Sequence, residues 1–413
     1  MEKKQLKILS LIGILLISLV YPLHTEAKQS DEEKAKVQKV VFHSGNQMKL
    51  QSRELPDPVP RFVYDSGFDF EYPEAVRGIY VTGPSAGGSR FEKLLKLVDE
   101  TDLNSMVIDI KEDAGILTFK PEEGSPYEDV GINYIKDVKE VLKTLEKHDI
   151  YPIARVVVFK DSKLAKKRPD LSFTKNGQVW ENGKGESFVN PFLKEVWDYN
   201  VEVAKMAAKM GFKDIQFDYV RFPEGFEKRD DILNYDQGKY KDLELDDVQK
   251  RVTAVTDFVE YARKELEYYG VDVSVDIFGY SATIPEAPGI GQNFTKISKN
   301  VDVISSMIYP SHWTSYFGIP FPDKEPYRLV TEYAKVENER LGELEDPPTS
   351  RPWIQDFSAP WLYHNEPTKY YDKDDVEAQI RALNENGIQE FLLWNPLNSY
   401  SENVDYTPLD KES

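Results

Sequence analysis

The chain contains no cysteine, which removes disulfides, thiolate metal sites, iron–sulfur clusters and cysteine nucleophiles. Histidine is scarce as well: there are five, none in a His-x-x-x-His pair, which argues against a metal-dependent polysaccharide deacetylase, and no resident metal is expected. Positive charge is outweighed, with 52 Lys and Arg against 72 Asp and Glu and a net charge of -20. No basic stripe with interleaved aromatics is present, so nucleic acid is excluded as a partner. The loop Gly83-Pro-Ser-Ala-Gly87-Gly88 lacks G-x-G-x-x-G and Walker spacing, so no nucleotide cofactor is expected, and indeed no cofactor at all. A G-x-S-x-G nucleophile elbow is also missing, which leaves a serine hydrolase without support.

Long apolar runs are absent except at the start. Lys3, Lys4 and Lys7 precede the apolar run 8–20, and Ala27 offers a small residue for cleavage. This is the layout of a secretory signal over residues 1–27, and the run is short for a membrane span of roughly 20 residues. The same segment, left uncleaved, is the single membrane anchor the sequence offers. Either way the expected location is secreted or cell-surface. Residues 28–60, with the charged stretch 29–36 and Pro56, Pro58 and Pro60, read as a flexible polar linker.

What is present is a large core. The 413 residues are 40% hydrophobic and 12% aromatic, too apolar for a disordered chain. Residues 61–413 read as one domain, opening with an aromatic stretch, 61–74, that packs on the outside of the remaining chain. From Arg77 onward, β-branched runs at 78–82, 105–110, 153–158, 215–220, 271–277, 301–308, 352–356 and 390–394 alternate with helical periodicity. Gly211 and Gly270 stand where helix ends favour glycine. Eight strands with intervening helices are the count of a (β/α)8 TIM barrel, with a doubly wound open sheet as the alternative. Two long connections, 160–190 with a hairpin turn at Asn176-Gly177 and 223–245, follow strand C-termini, where barrel enzymes carry their active sites.

Polar residues at strand ends carry the functional signal. In strand four, alternation puts Ile215, Phe217 and Tyr219 on one face and Gln216, Asp218 and Val220 on the other. An Asp on such a strand costs several kcal/mol unless it is paired or reaches solvent at the barrel mouth, roughly as for any buried charge. Asp218 therefore reads either as a catalytic group or as a structural partner of Arg155 or Arg221. Asp276 on strand five and Asp109, with Glu112, on strand two bring further carboxylates to the same mouth. Paired carboxylates are what glycosidic cleavage uses, one as acid and one as nucleophile or base. Tyr309, His312 and Trp313 after strand six, Asp356 after strand seven, and Trp394 and Asn395 at the end of strand eight supply rings and hydrogen-bonding groups suited to sugars. Trp394 reads equally as core packing.

The runs Arg77-Gly-Ile-Tyr-Val-Thr-Gly83, Val107-Ile-Asp-Ile-Lys-Glu-Asp-Ala-Gly115, Gln216-Phe-Asp-Tyr-Val-Arg-Phe-Pro223 and Asp276-Ile-Phe-Gly279 resemble a bacterial family of glycosyl hydrolase domains, long catalogued only as a domain of unknown function. The resemblance spans roughly residues 61–398 and implies a TIM barrel distantly related to the α-amylase type. By the amylase-type pattern, Asp218 matches the nucleophile and Asp356 the supporting Asp of strand seven. Asp276 stands where Glu is usual, Gln216 where Arg is usual and Gln355 where His is common. These departures argue against starch-like specificity.

The resulting expectation is an extracellular glycoside hydrolase acting on an envelope or environmental polysaccharide. Asp218 and Asp276 are its preferred catalytic carboxylates, and Asp109 and Glu112 are in reserve. Glu112, Arg155, Arg221, Tyr309, His312, Trp313, Asp356, Trp394 and Asn395 are the expected substrate contacts. The alternative is a non-catalytic glycan-binding or envelope-scaffolding barrel.

Overall fold

The computed structural model describes residues 38–44, 47–53, 63–364 and 367–409. The expected signal segment, 1–27, lies outside the described residues. Two units are distinguished, Met1–Pro60 and Arg61–Ser413. In the first, within the expected linker, strands Gln38–Ser44 and Gln47–Arg53 pair antiparallel. Among the described residues no helix is long and apolar enough to cross a membrane.

In the second unit the β-branched runs become eight strands: β1 (Arg77–Val81), β2 (Ser105–Lys111), β3 (Tyr151–Val157), β4 (Asp214–Asp218), β5 (Asp272–Phe278), β6 (Val303–Met307), β7 (Trp353–Gln355) and β8 (Phe391–Trp394). Each pairs parallel with the next, and β8 returns to β1 through Phe391 and Arg77. The sheet is therefore a closed eight-stranded parallel barrel, and the open doubly wound alternative is excluded.

Helices fill the connections: α1 (Phe91–Asp99), α2 (Val138–Lys147), α3 (Lys194–Met210), α4 (Asp247–Leu266), α5 (Phe294–Ser298), α6 (Pro326–Gly342) and α7 (Lys373–Glu385). Helix α4 shows why they form. Asp246 caps its first turn by accepting from the Gln249 amide, Arg263 and Lys264 sit in its last turn, and Val252, Val255, Phe258, Val259, Ala262 and Leu266 make one buried stripe. That stripe meets the outward face of β4, where Phe217 and Phe258 cross edge-to-face at 5.5 Å. Gly211 ends α3 at a φ of 123°, and a Cβ there would lie 2.3 Å from the Phe68 ring. The aromatic stretch before β1 thus packs on the outside of the barrel, as expected.

The end of the barrel away from the strand C-termini is closed by a buried charge network. Arg351 bonds Asp214 and Glu390, each at 2.7 Å, and Tyr72 donates to Glu390. Burial outweighs Arg351 at Asp214 and pushes its carboxyl up to about 6. With this end sealed, access to the barrel interior is from the opposite mouth.

Candidate active site

At that mouth lies a cavity of about 700 Å³ whose lining includes Asp113, Arg155, Asp218, Tyr219, Arg221, Asp276, Tyr309, His312, Trp313, Trp353 and Trp394. Most of the expected substrate contacts and both preferred carboxylates meet here. The carboxylates do so because β4 and β5 run parallel and in step. The register pairs Phe217 with Val275, so the next residues, Asp218 and Asp276, come side by side on strands about 4.8 Å apart.

The two carboxylates have opposite surroundings. Asp218 accepts three N–H groups: Arg155 Nε and Nη2 bond its Oδ2 at 3.0 and 2.6 Å, and the Tyr219 amide bonds its Oδ1 at 2.5 Å. Tyr219 achieves this from a left-handed backbone, φ 53°, a strained conformation for a bulky residue. Asp276 is 2% exposed, and the hydrogen bond it accepts comes from the indole Nε1 of Trp353, at 2.8 Å on Oδ1. Burial, then the charge of Asp218, hold the Asp276 carboxyl well above the ordinary carboxylate range; Arg155 and the indole bond oppose this without cancelling it.

Arg155 organises the rest. Its Nη1 bonds Asp109 Oδ1 at 2.7 Å and its Nη2 bonds Asp113 Oδ1 at 2.9 Å, while its guanidinium lies 5.4 Å from the Trp394 ring and 5.6 Å from that of Tyr80. Asp113 also receives Lys160 at 3.0 Å. Burial alone would raise its carboxyl, but Arg155 and Lys160 outweigh burial and hold it at about 2. Trp394 stacks on Tyr80 with centroids 4.1 Å apart and is half-buried, so it is cavity floor as well as packing.

Several expected residues are placed otherwise. Arg221 does not pair with Asp218: it bonds Glu224 at 3.2 Å and lies 4.7 Å from both the Tyr219 and the Phe278 rings. Asp109 is buried beneath Arg155, where the Tyr80 hydroxyl donates to it at 2.5 Å, and it is not among the lining residues. Glu112 stays outside the cavity and is half-buried; burial and the neighbouring Asp109 and Asp113 raise its carboxyl. Asp356 turns away: its two oxygens accept the amide and hydroxyl of Ser401 at 2.9 and 2.7 Å. Asn395 spends its amide on the Asp356 and Ser399 carbonyls. These last two fasten the chain after β8 and do not contact the cavity.

Asp113, Tyr219 and Trp353 line the cavity as well, although they are not among the contacts expected from the sequence. Asp113 was legible in the run Lys111-Glu112-Asp113, two residues beyond the strand. His312 lines the cavity with its ring held below the usual imidazole range by burial, next to the Ser311 hydroxyl at 3.0 Å. Among the described residues no group of three or more His, Asp or Glu side chains is arranged to hold a metal ion.

Known proteins with this architecture are numerous. A hypothetical protein from Ruminiclostridium thermocellum is 31% identical over 48% of this chain and 96% of its own, with a TM-score of 0.41. The PgaB (BpsB) glycoside hydrolase domain from Bordetella bronchiseptica shares 14% identity over 78% of this chain and 94% of its own, with a TM-score of 0.55, a likeness of fold. The Bacillus cereus spore cortex-lytic enzyme SleL matches at 11% identity over 79% and 72%, with a TM-score of 0.47. No curated protein matches. Residues 78–400, which include nearly all of the barrel, match the family described as "Putative glycosyl hydrolase domain", and the chain belongs to that family.

Proposed function

We propose that this barrel is an extracytoplasmic glycoside hydrolase that cleaves a polysaccharide with Asp276 as proton donor and Asp218 as the negative partner. The observation that carries the reading is the contrast between two adjacent carboxyl groups in one cavity. Environments that push neighbouring carboxyls apart in proton affinity are how acid and base roles are divided. Because Asp276 Oδ1 accepts from Trp353, a proton on this carboxyl belongs on Oδ2. From there it passes to the glycosidic oxygen as the bond to the anomeric carbon breaks. Asp218 stabilises or attacks the positive anomeric carbon, and water completes the hydrolysis, returning a proton to Asp276. Arg155 fixes the orientation of Asp218, and the Trp394 ring offers a flat apolar face to a sugar. Location outside the cytoplasm rests on the signal-like segment 1–27.

The second reading is a glycan-binding barrel without turnover. It is favoured by the Arg155–Asp218 pair, which is also what a purely structural Asp would make. A reducing-end assay on a panel of wall and exopolysaccharides separates the two. The hydrolase reading expects turnover by the wild type that vanishes in an Asp218→Asn variant shown by a cooperative thermal transition to be folded. Glycan binding without cleavage, unaltered by the substitution, would establish the scaffold instead.

A further inference from the structure

An unbroken series of aromatic rings leaves the cavity on one side and ends in solvent. Trp394 on the floor stands 6.3 Å from Tyr309, and Tyr309 stands 5.9 Å from Phe357. Phe357 stacks on Trp361 with centroids 6.2 Å apart and planes within 20°. His312 braces the outer part, 6.1 Å from Phe357 and 6.5 Å from Trp361. Trp361 is 53% exposed, on the short turn Pro360–Leu362 of the loop after β7. That loop is anchored: Gln355 Nε2 donates to the Phe357 carbonyl at 2.8 Å, and the Tyr371 amide to the Ser358 hydroxyl at 3.0 Å.

We infer that Trp361 and Phe357 form a remote binding platform for a sugar unit of a long glycan chain whose cleaved bond sits in the cavity. The substrate is then a polymer, held on both the cavity floor and this outer platform. The inference rests on the glycoside hydrolase reading and names its substrate class. A large indole half in water is an unfilled contact surface. Its continuity with the cavity by ring-to-ring steps of about 6 Å selects the occupant: a chain already bound in the cavity passes over it. A pyranose ring suits such a surface, with C–H groups for the ring face and hydroxyls for the indole N–H.

The test compares Trp361→Ala, Trp361→Phe and wild type on a soluble polymer and on short oligosaccharides of the same glycan. The glycan is chosen from a panel of a neutral glucan, chitosan and peptidoglycan strands. Binding is measured in an Asp218→Asn background and cleavage in the active chain. The expected result for Trp361→Ala is about a tenfold weaker KM and Kd for the polymer, with oligosaccharide values and kcat unchanged. Trp361→Phe should recover most of the loss. Equal effects on polymer and oligosaccharide, or none on either, would overturn the platform while leaving the cavity reading intact. A wild-type chain that neither binds nor cuts any of the glycans would instead overturn the hydrolase reading, and the platform with it.

Discussion

Arg155 grips Asp218 through two nitrogens on a single oxygen, Nε at 3.0 Å and Nη2 at 2.6 Å on Oδ2, while the same guanidinium holds Asp109 and Asp113. One buried cation thus fixes three carboxylates. Removing it leaves Asp109 and Asp218 buried without the cation that both of them bond. Arg155→Met should cost about 3–5 kcal/mol of stability, read as a lower denaturation midpoint with an unchanged m-value. A loss under about 1 kcal/mol would mean that the site does not depend on this pairing.

The proton affinity of Asp276 gives a pH prediction. Its carboxyl is raised by burial and by Asp218, and the Trp353 indole bond acts to lower it. A proton donor works below its pKa, so turnover should fall as pH rises through the raised Asp276 value. Trp353→Phe removes the donor that favours the ionised form, and the basic limb of kcat/KM should therefore move to higher pH. A limb that stays in place or moves down would take Asp276 out of the acid role.

A second stability prediction concerns the turn after β2. Gly115 has a φ of 85°, and a Cβ there would lie 1.9 Å from Asp161 Oδ1. Asp161 is the fully buried partner of Lys111 at 2.8 Å. Gly115→Ala therefore combines backbone strain with disruption of a buried ion pair, and about 3 kcal/mol is expected. Gly124→Ala is the control, since its φ is 77° with nothing within 4 Å, and should cost about 1 kcal/mol. Similar melting temperatures for the two variants would contradict the packing argument.

The barrel was legible in the sequence because strand and helix periods alternate and the punctuating glycines, such as Gly211 and Gly270, stand at real helix ends with positive φ. Alternation also brought Asp218 and Asp276 to the mouth. It fails one residue later: the period puts Tyr219 on the outward face, but β4 ends at Asp218 and the left-handed turn returns the Tyr219 ring to the cavity. Asp356 and Asn395 looked like site residues because polar groups at strand ends usually are. Their partners, Ser401 and Ser399, lie several residues further along or on another strand's tail, and no periodicity reveals such contacts. Arg155 was recognisable as a partner of Asp218, whereas its simultaneous hold on Asp113 depends on the loop after β2.

The roles of the two carboxylates are tested most directly by comparing Asp276→Asn and Asp218→Asn on a polysaccharide and on an aryl glycoside of the same sugar. A nitrophenolate departs without being protonated, so the acid is dispensable for it. Asp276→Asn should lose about 10²–10⁴-fold on the polysaccharide and change little on the aryl glycoside, while Asp218→Asn loses both. Equal losses on both substrates for Asp276→Asn, or full activity in Asp218→Asn, would contradict the assignment.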